Sequence, residues 1–136
     1  LSERELAARV DINWERYVKV GNIEASCAID IASTMILPAV VTYLGRLNGI
    51  TSSRGIMSVC ERVSALADQL VDGIAALKAA QHHAHEASSV QAEASVVVTE
   101  VIPAQEALRA VADELETIVD DELWPLPKYR ELLFQY

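Results

Sequence analysis

The sequence predicts an all-α fold, an antiparallel bundle of three to four long helices with proline bends and an extended aromatic tail at the carboxyl end. Hydrophobic residues make up 51% of the 136 residues but aromatics only 5%, with Ala and Val carrying much of the total, a balance that suits close-packed helices better than aromatic-rich strands. Two stretches in the second half carry apolar residues at seven-residue steps, the spacing of a helix seam. Only four prolines and five glycines interrupt the chain. At this length one domain over residues 1–136 is expected, with helices at about 2–20, 22–47, 54–82 and 88–121 and a tail over 122–136.

The first helix is predicted to start at Ser2, because Ser2 followed by Glu5 is a capping box. Its hydroxyl accepts from a free backbone N–H while the carboxylate reaches back to the cap. Leu6, Val10, Asn13 or Trp14, Tyr17 and Val18 follow at three- and four-residue steps, and Gly21-Asn22 is the first plausible interruption. Ile23, Cys27, Ile31 and Thr34 resume the spacing toward Pro38, where loss of a donor and pressure on the preceding turn predict a bend. Asn48-Gly49 to Ser52-Ser53 reads as the clearest loop.

Ile56, Val63, Leu70 and Leu77, interleaved with Val59, Leu66, Gly73 and Ala80, form one seam. Ala94, Val101, Leu108 and Leu115, interleaved with Val97, Ala104, Val111 and Ile118, form a second. The polar stretch from Gln81 to Ser89 is short enough to join antiparallel neighbours, and Gly73, Ala80, Ala94 and Ala104 would let the axes approach closely. Pro103 lies inside the second seam. Both rows continue through it in phase, so a bend is expected there rather than a new start.

The 11 basic and 20 acidic side chains give a formal charge of −9, which disfavours nucleic acid and anionic membranes and favours a basic partner surface. Cys27 and Cys60 are too few for a disulfide framework and are expected as buried thiols in a reducing cytoplasm. The chain starts at Leu1, without a recognisable targeting segment, and is expected to be a piece of a longer enzyme. Its longest uncharged run, from Ile31 to Gly45, falls short of the ~20 residues that span a bilayer and reads as a helix buried within protein.

Few residues suggest chemistry. His82, His83 and His85 are the only candidate metal cluster, but adjacent helical residues point about 100° apart, so His82 and His83 cannot share a face. His82 with Glu86 reads as a surface pair. Cys27 and Cys60 lack zinc spacing, and no phosphate-binding glycine loop or nucleophile elbow occurs, so no catalytic, cofactor-binding or metal residue is expected in this chain. The six carboxylates from Asp113 to Glu122 crowd a helix end that is already negative. They read as a solvated face or as one met by Arg or Lys from elsewhere, with Arg4, Arg9, Arg16 and Lys19 as internal candidates.

After Glu122, Pro125 and Pro127 stop the helix and force an extended path. Trp124, Leu126, Tyr129, Leu132, Leu133 and Phe134 then offer more apolar surface than a free tail carries. Such a tail must dock, either over its own bundle or against a catalytic domain or neighbouring subunit.

Asn22-Ile23-Glu24-Ala25, Ile36-Leu37-Pro38-Ala39-Val40-Val41 with Tyr43, Val101-Ile102-Pro103-Ala104, the run from Leu108 to Glu116, and Trp124-Pro125-Leu126-Pro127-Lys128-Tyr129 together resemble the carboxyl-terminal region of type III glutamine synthetases. Residues 48–93 match only in helical character. The tail departs from the family pattern at Leu126, Lys128 and Arg130-Glu131. The resemblance implies a parent enzyme that joins ammonia to the side-chain carboxylate of glutamate, with ATP forming a γ-glutamyl phosphate and divalent cations, Mg or Mn, held by carboxylates. In the family that apparatus belongs to a strand-built catalytic domain. The residues carried over are structural: Pro38 and Pro103 as bends, Trp124 and Pro125 as the tail anchor; Pro127, Tyr129 and Phe134 are the further structural candidates of the tail. The implied partners are the catalytic domain of the same polypeptide and neighbouring subunits of a homo-oligomer of stacked rings, in the cytoplasm. The alternative reading is a free-standing helical interaction or regulatory protein that binds a basic surface.

Overall fold

The computed structural model describes residues 2–128, of which the helical share is high and no strand occurs among them. The elements are α1 (Glu3–Ile31), a π-helical turn (Ala32–Ile36), α2 (Leu37–Leu47), α3 (Arg54–His85), α4 (Val90–Val96), a second π turn (Val97–Val101) and α5 (Ile102–Glu116). The chain forms two compact units. One draws on the chain up to Ile29 together with Gly73–Leu108, the other on Asp30–Asp72 together with the chain from Arg109 on.

The helix starts follow from local chemistry. The Ser2 amide donates to Glu5 Oε2 at 2.9 Å and the Glu5 amide donates to Ser2 Oγ at 3.2 Å, a complete capping box. Ser53 Oγ accepts from the Ile56 amide at 3.2 Å before α3, and Ser89 Oγ accepts from the Ala92 amide at 3.1 Å before α4. Gly49 closes the turn after α2 with φ +91°, a left-handed conformation that a side chain would strain. α3 runs to His85, three residues past its expected end, and α5 stops at Glu116 rather than at residue 121.

Each proline follows a π turn. Before Pro38 the Leu37 amide donates to the Ala32 carbonyl, and before Pro103 the Ile102 amide donates to the Val97 carbonyl, five residues back in both cases. Proline removes one donor and its ring presses on the carbonyl four residues earlier, here that of Thr34 and of Thr99. The wider π turn makes room for that carbonyl without ending the helix. Both threonines donate their hydroxyl to the carbonyl four residues back, Thr34 to Asp30 at 2.6 Å and Thr99 to Ser95 at 2.8 Å.

In the first unit the core is small-chained: Val18, Ala25, Ile74, Leu77, Ala80, Ala84, Ala94, Val97, Val101 and Leu108 are all buried. A Cβ built on Gly73 falls 3.1 Å from Leu108 Cδ1, and one built on Gly21 falls 3.0 Å from Val97 Cγ1. Gly73 meets Leu108 while His83 meets Glu100, so the contacts between α3 and the chain after α4 proceed in opposite directions. Gln81 Nε2 donates to Ser26 Oγ at 2.8 Å and to the Asn22 carbonyl at 3.3 Å, and Asn22 Nδ2 donates to Glu93 Oε1 at 3.5 Å. These contacts explain why Gly21-Asn22, read from sequence as an interruption, lies within an unbroken α1. The glycine admits Val97, and the asparagine is held by its neighbours.

The apolar spacing at the start of α1 lies uncovered, and the expectation of two buried thiols is corrected. Leu6, Val10, Trp14 and Tyr17 face solvent, and among residues 2–20 only Val18 is buried. Cys27 is exposed and Cys60 half-buried rather than enclosed, because Ala25 and Ala32 occupy the covered face that Cys27 turns away from. Small side chains on that face let a neighbour approach, and the thiol is left on the other.

The second unit buries Ala32, Ile36, Ala39, Val40, Val63, Leu66, Leu70, Leu115, Val119 and Trp124. The uncharged run from Ile31 to Gly45 is therefore covered on one face only, with Met35 and Val41 exposed. It lies in 45 residues of unbroken helix, Glu3–Leu47, which by length and composition could cross a membrane. Burial within protein, as expected from sequence, thus holds for one stripe of this run and fails for the other.

Two glycines give opposite expectations. Nothing lies within 4 Å of a Cβ built on Gly45, so Gly45→Ala should raise stability by about 0.5–1 kcal/mol through helix propensity. Gly73→Val should lower it by roughly 1–3 kcal/mol, because the added methyls meet Leu108. Urea unfolding of both variants reads the sign directly.

Candidate functional site

The end of α5 and the clasp after it form the most elaborated polar site of the second unit. α5 loosens into a turn in which the Thr117 amide donates to the Glu114 carbonyl at 3.1 Å, and the Ile118 and Val119 amides donate to the Leu115 carbonyl at 3.0 and 2.9 Å. Asp120 then organises the reversal. Its Oδ1 accepts from the Glu122 amide at 2.9 Å, its carbonyl accepts from the Leu123 and Trp124 amides at 3.0 Å each, and its Oδ2 accepts from Arg46 at 3.0 Å. A carboxylate accepting from the amide two residues ahead is an Asx turn, which bends the chain without a glycine.

That reversal returns Trp124 to the core, where it is 9% exposed; Leu115 and Val119 of the same unit are buried as well. Its indole N–H finds no acceptor among the described residues. Pro125 and Leu126 are half-buried and Pro127 is exposed, while Lys128 pairs with Asp121. A cleft of about 460 Å³ lies between Arg109, Ala112, Asp113 and Glu116 on one face of α5 and Trp124, Leu126 and Pro127 of the clasp. Tyr129 and Phe134, named from sequence, fall outside the described residues, as does the rest of the tail.

The acidic segment is thus divided in role. Arg46 from α2, rather than Arg4, Arg9, Arg16 or Lys19, pairs with Asp120, and Lys128 from the clasp meets Asp121. With side chains 54% and 35% exposed, the Arg46–Asp120 pair is screened and contributes at most about 1 kcal/mol. Its geometric effect is larger, since it holds the residue whose other oxygen makes the turn. Sequence reasoning grouped Asp120 with five other carboxylates. The signal that distinguishes it is position, an aspartate just past a helix end and two residues before a free amide.

The histidines separate as expected. His82 Nε2 lies 3.1 Å from Glu86 Oε1 on the same helix, whereas His83 Nδ1 donates to Glu100 Oε2 of the second π turn at 2.5 Å. Among the described residues, no three His, Cys, Asp or Glu side chains are grouped to hold a metal ion. Pro38 falls in the second unit with Trp124 and Pro125, and Pro103 in the first.

A glutamine synthetase from Bacteroides fragilis (strain YCH46) is 33% identical over 151 aligned residues, covering 98% of this chain and 20% of that protein. A type-3 glutamine synthetase from Dictyostelium discoideum is 29% identical over 148 residues, with the same coverage. The family described as glutamine synthetase C-terminal domain matches residues 1–54. The chain belongs to the glutamine synthetase C-terminal domain family. It spans about a fifth of the length of the curated relatives it matches. The family match takes in α1, the first π turn and α2, and the similarity to the two relatives extends over 98% of the chain.

Two outcomes test the site. Trp124→Ala should cost about 3–5 kcal/mol in urea unfolding, and Trp124→Phe much less, since phenylalanine keeps most of the buried ring and removes an N–H that lacks an acceptor. The second concerns pH. The Glu100 carboxylate, through its hydrogen bond and then its charge, raises the His83 pKa above the ordinary 6.5, with a smaller contribution from Glu86. A raised folded-state pKa contributes stability that is fully present below the unfolded value and lost as pH rises through the folded one. Thermal melts of the wild type and His83→Gln should therefore differ most in weakly acidic solution and converge at alkaline pH.

Proposed function

We propose that this chain serves a glutamine synthetase, which ligates ammonia to glutamate at the expense of ATP, as a non-catalytic helical support that buttresses the catalytic domain or the contacts between subunits. In this reading the fold is an antiparallel bundle that bends at Pro38 and Pro103 and is closed by the Trp124-Pro125 clasp. The observation that carries the proposal is the combination of family membership with what the ordered polar groups do. Asp120, Arg46, Gln81 and Asn22 spend their hydrogen bonds on holding backbone and neighbouring helices in place. ATP and the divalent cation, Mg or Mn, would be held outside this chain, by the strand-built catalytic domain. The assembly would be a cytoplasmic homo-oligomer.

Support of this kind predicts a specific failure. Deleting the matching fifth from the full-length Bacteroides fragilis relative should lower glutamine formation and reduce the assembly size seen by light scattering. An enzyme that keeps both its activity and its assembly size after the deletion would refute the support role.

A further inference from the structure

The polar contacts of the clasp after α5 shape it more than they anchor it. The Glu122, Leu123 and Trp124 amides all bond back to Asp120, so the reversal closes on itself, and Lys128 pairs with Asp121 within the same segment. Burial of the Trp124 ring and the hydrogen bond from Arg46 of α2 to Asp120 Oδ2 tie the clasp to the rest of the unit. The second of these ties is partly wetted, with side chains 54% and 35% exposed.

Closure also carries costs. The Trp124 indole N–H leaves water without gaining an acceptor among the described residues, and a buried donor left unpaired offsets part of what ring burial contributes. Asp121 and Glu122 follow a helix end that already bears Asp113, Glu114, Glu116 and the negative pole of the helix dipole. Like charges there favour release. Pro125 and Pro127 restrict the segment to an extended path whether or not it is docked, so it swings away rather than unravels.

We infer that residues 120–128 open as a unit while the α3 core of the second unit stays folded, with the Arg46–Asp120 pair as the latch. Opening removes the Trp124, Leu126 and Pro127 wall of the cleft of about 460 Å³ and leaves its Arg109, Asp113 and Glu116 face in place. Arg46 thereby couples α2 to access along α5. The inference concerns local motion in this chain and does not rest on the support role proposed above.

The Trp124 indole N–H is its own reporter. Because it has no acceptor, burial alone protects it, and its exchange with solvent requires the ring to leave the core. Hydrogen exchange followed by NMR on the 136-residue chain tests the inference, with Trp14→Phe assigning the two indole signals and circular dichroism checking helix content. The Trp124 indole should open at a lower free energy, and with a weaker urea dependence, than the amide of fully buried Leu70. Arg46→Gln should speed its exchange about two- to fivefold. Asp120→Asn, which keeps an oxygen for the Glu122 amide but loses the charge, should act in the same direction, and the double variant should add nothing to it. An indole that exchanges with the same free energy and urea dependence as Leu70 opens only when the whole unit unfolds, which overturns the inference. So does an exchange rate indifferent to Arg46→Gln, or a double variant in which the two effects add in full.

Discussion

Close approach between helix axes is the constraint on which the first unit depends. Its interior has few large side chains to fill wide gaps, so Ala25, Ala80, Ala84 and Ala94 bring backbones together and Gly21 and Gly73 admit Val97 and Leu108. Dispersion falls away within a fraction of an ångström of the optimal separation, so such a core stabilises only when the fit is tight. The same closeness explains why polar residues such as Gln81 and Asn22 can reach across with ordinary hydrogen bonds. A core of bulkier residues would have spaced the helices beyond that reach.

The two prolines obey a shared local rule. In each case a threonine four residues before the proline stands third in a π turn, gives its hydroxyl to an earlier carbonyl, and is followed by one further residue, Met35 or Glu100, then by two aliphatic residues and Pro-Ala. The combination keeps a helix continuous through a residue that ordinarily ends one. Because the rule is local, it recurs in two units whose cores differ.

Much of the fold was legible in the sequence. The capping box at Ser2 and the turn at Asn48-Gly49 appear where cap and turn chemistry place them. Val63, Leu70 and Leu77 of the first seam and Ala94, Val101, Leu108 and Leu115 of the second are buried as their spacing predicts, whereas Ile56 and Val59 of the first and Ala104, Val111 and Ile118 of the second are only half-buried. The family resemblance was legible for a different reason, since it rested on proline- and tryptophan-bearing motifs. What could not be read were features that depend on a distant neighbour. Gly21 looks like a helix breaker until Val97 is brought against it. Cys27 and Leu6 fit an apolar period, but a period says which residues share a face and not whether anything covers it. Asp120 was one carboxylate among six until the Asx turn and Arg46 were in place.

The two tryptophans fall one in each unit and in opposite surroundings, Trp14 on the wetted amino end of α1 and Trp124 enclosed behind the Asp120 reversal. Indole emission shifts to the red in water and to the blue in an apolar enclosure. The chain therefore carries two built-in optical probes, one reporting on what happens at the amino end of α1 and the other on whether the clasp stays shut, separable by wavelength without any added label.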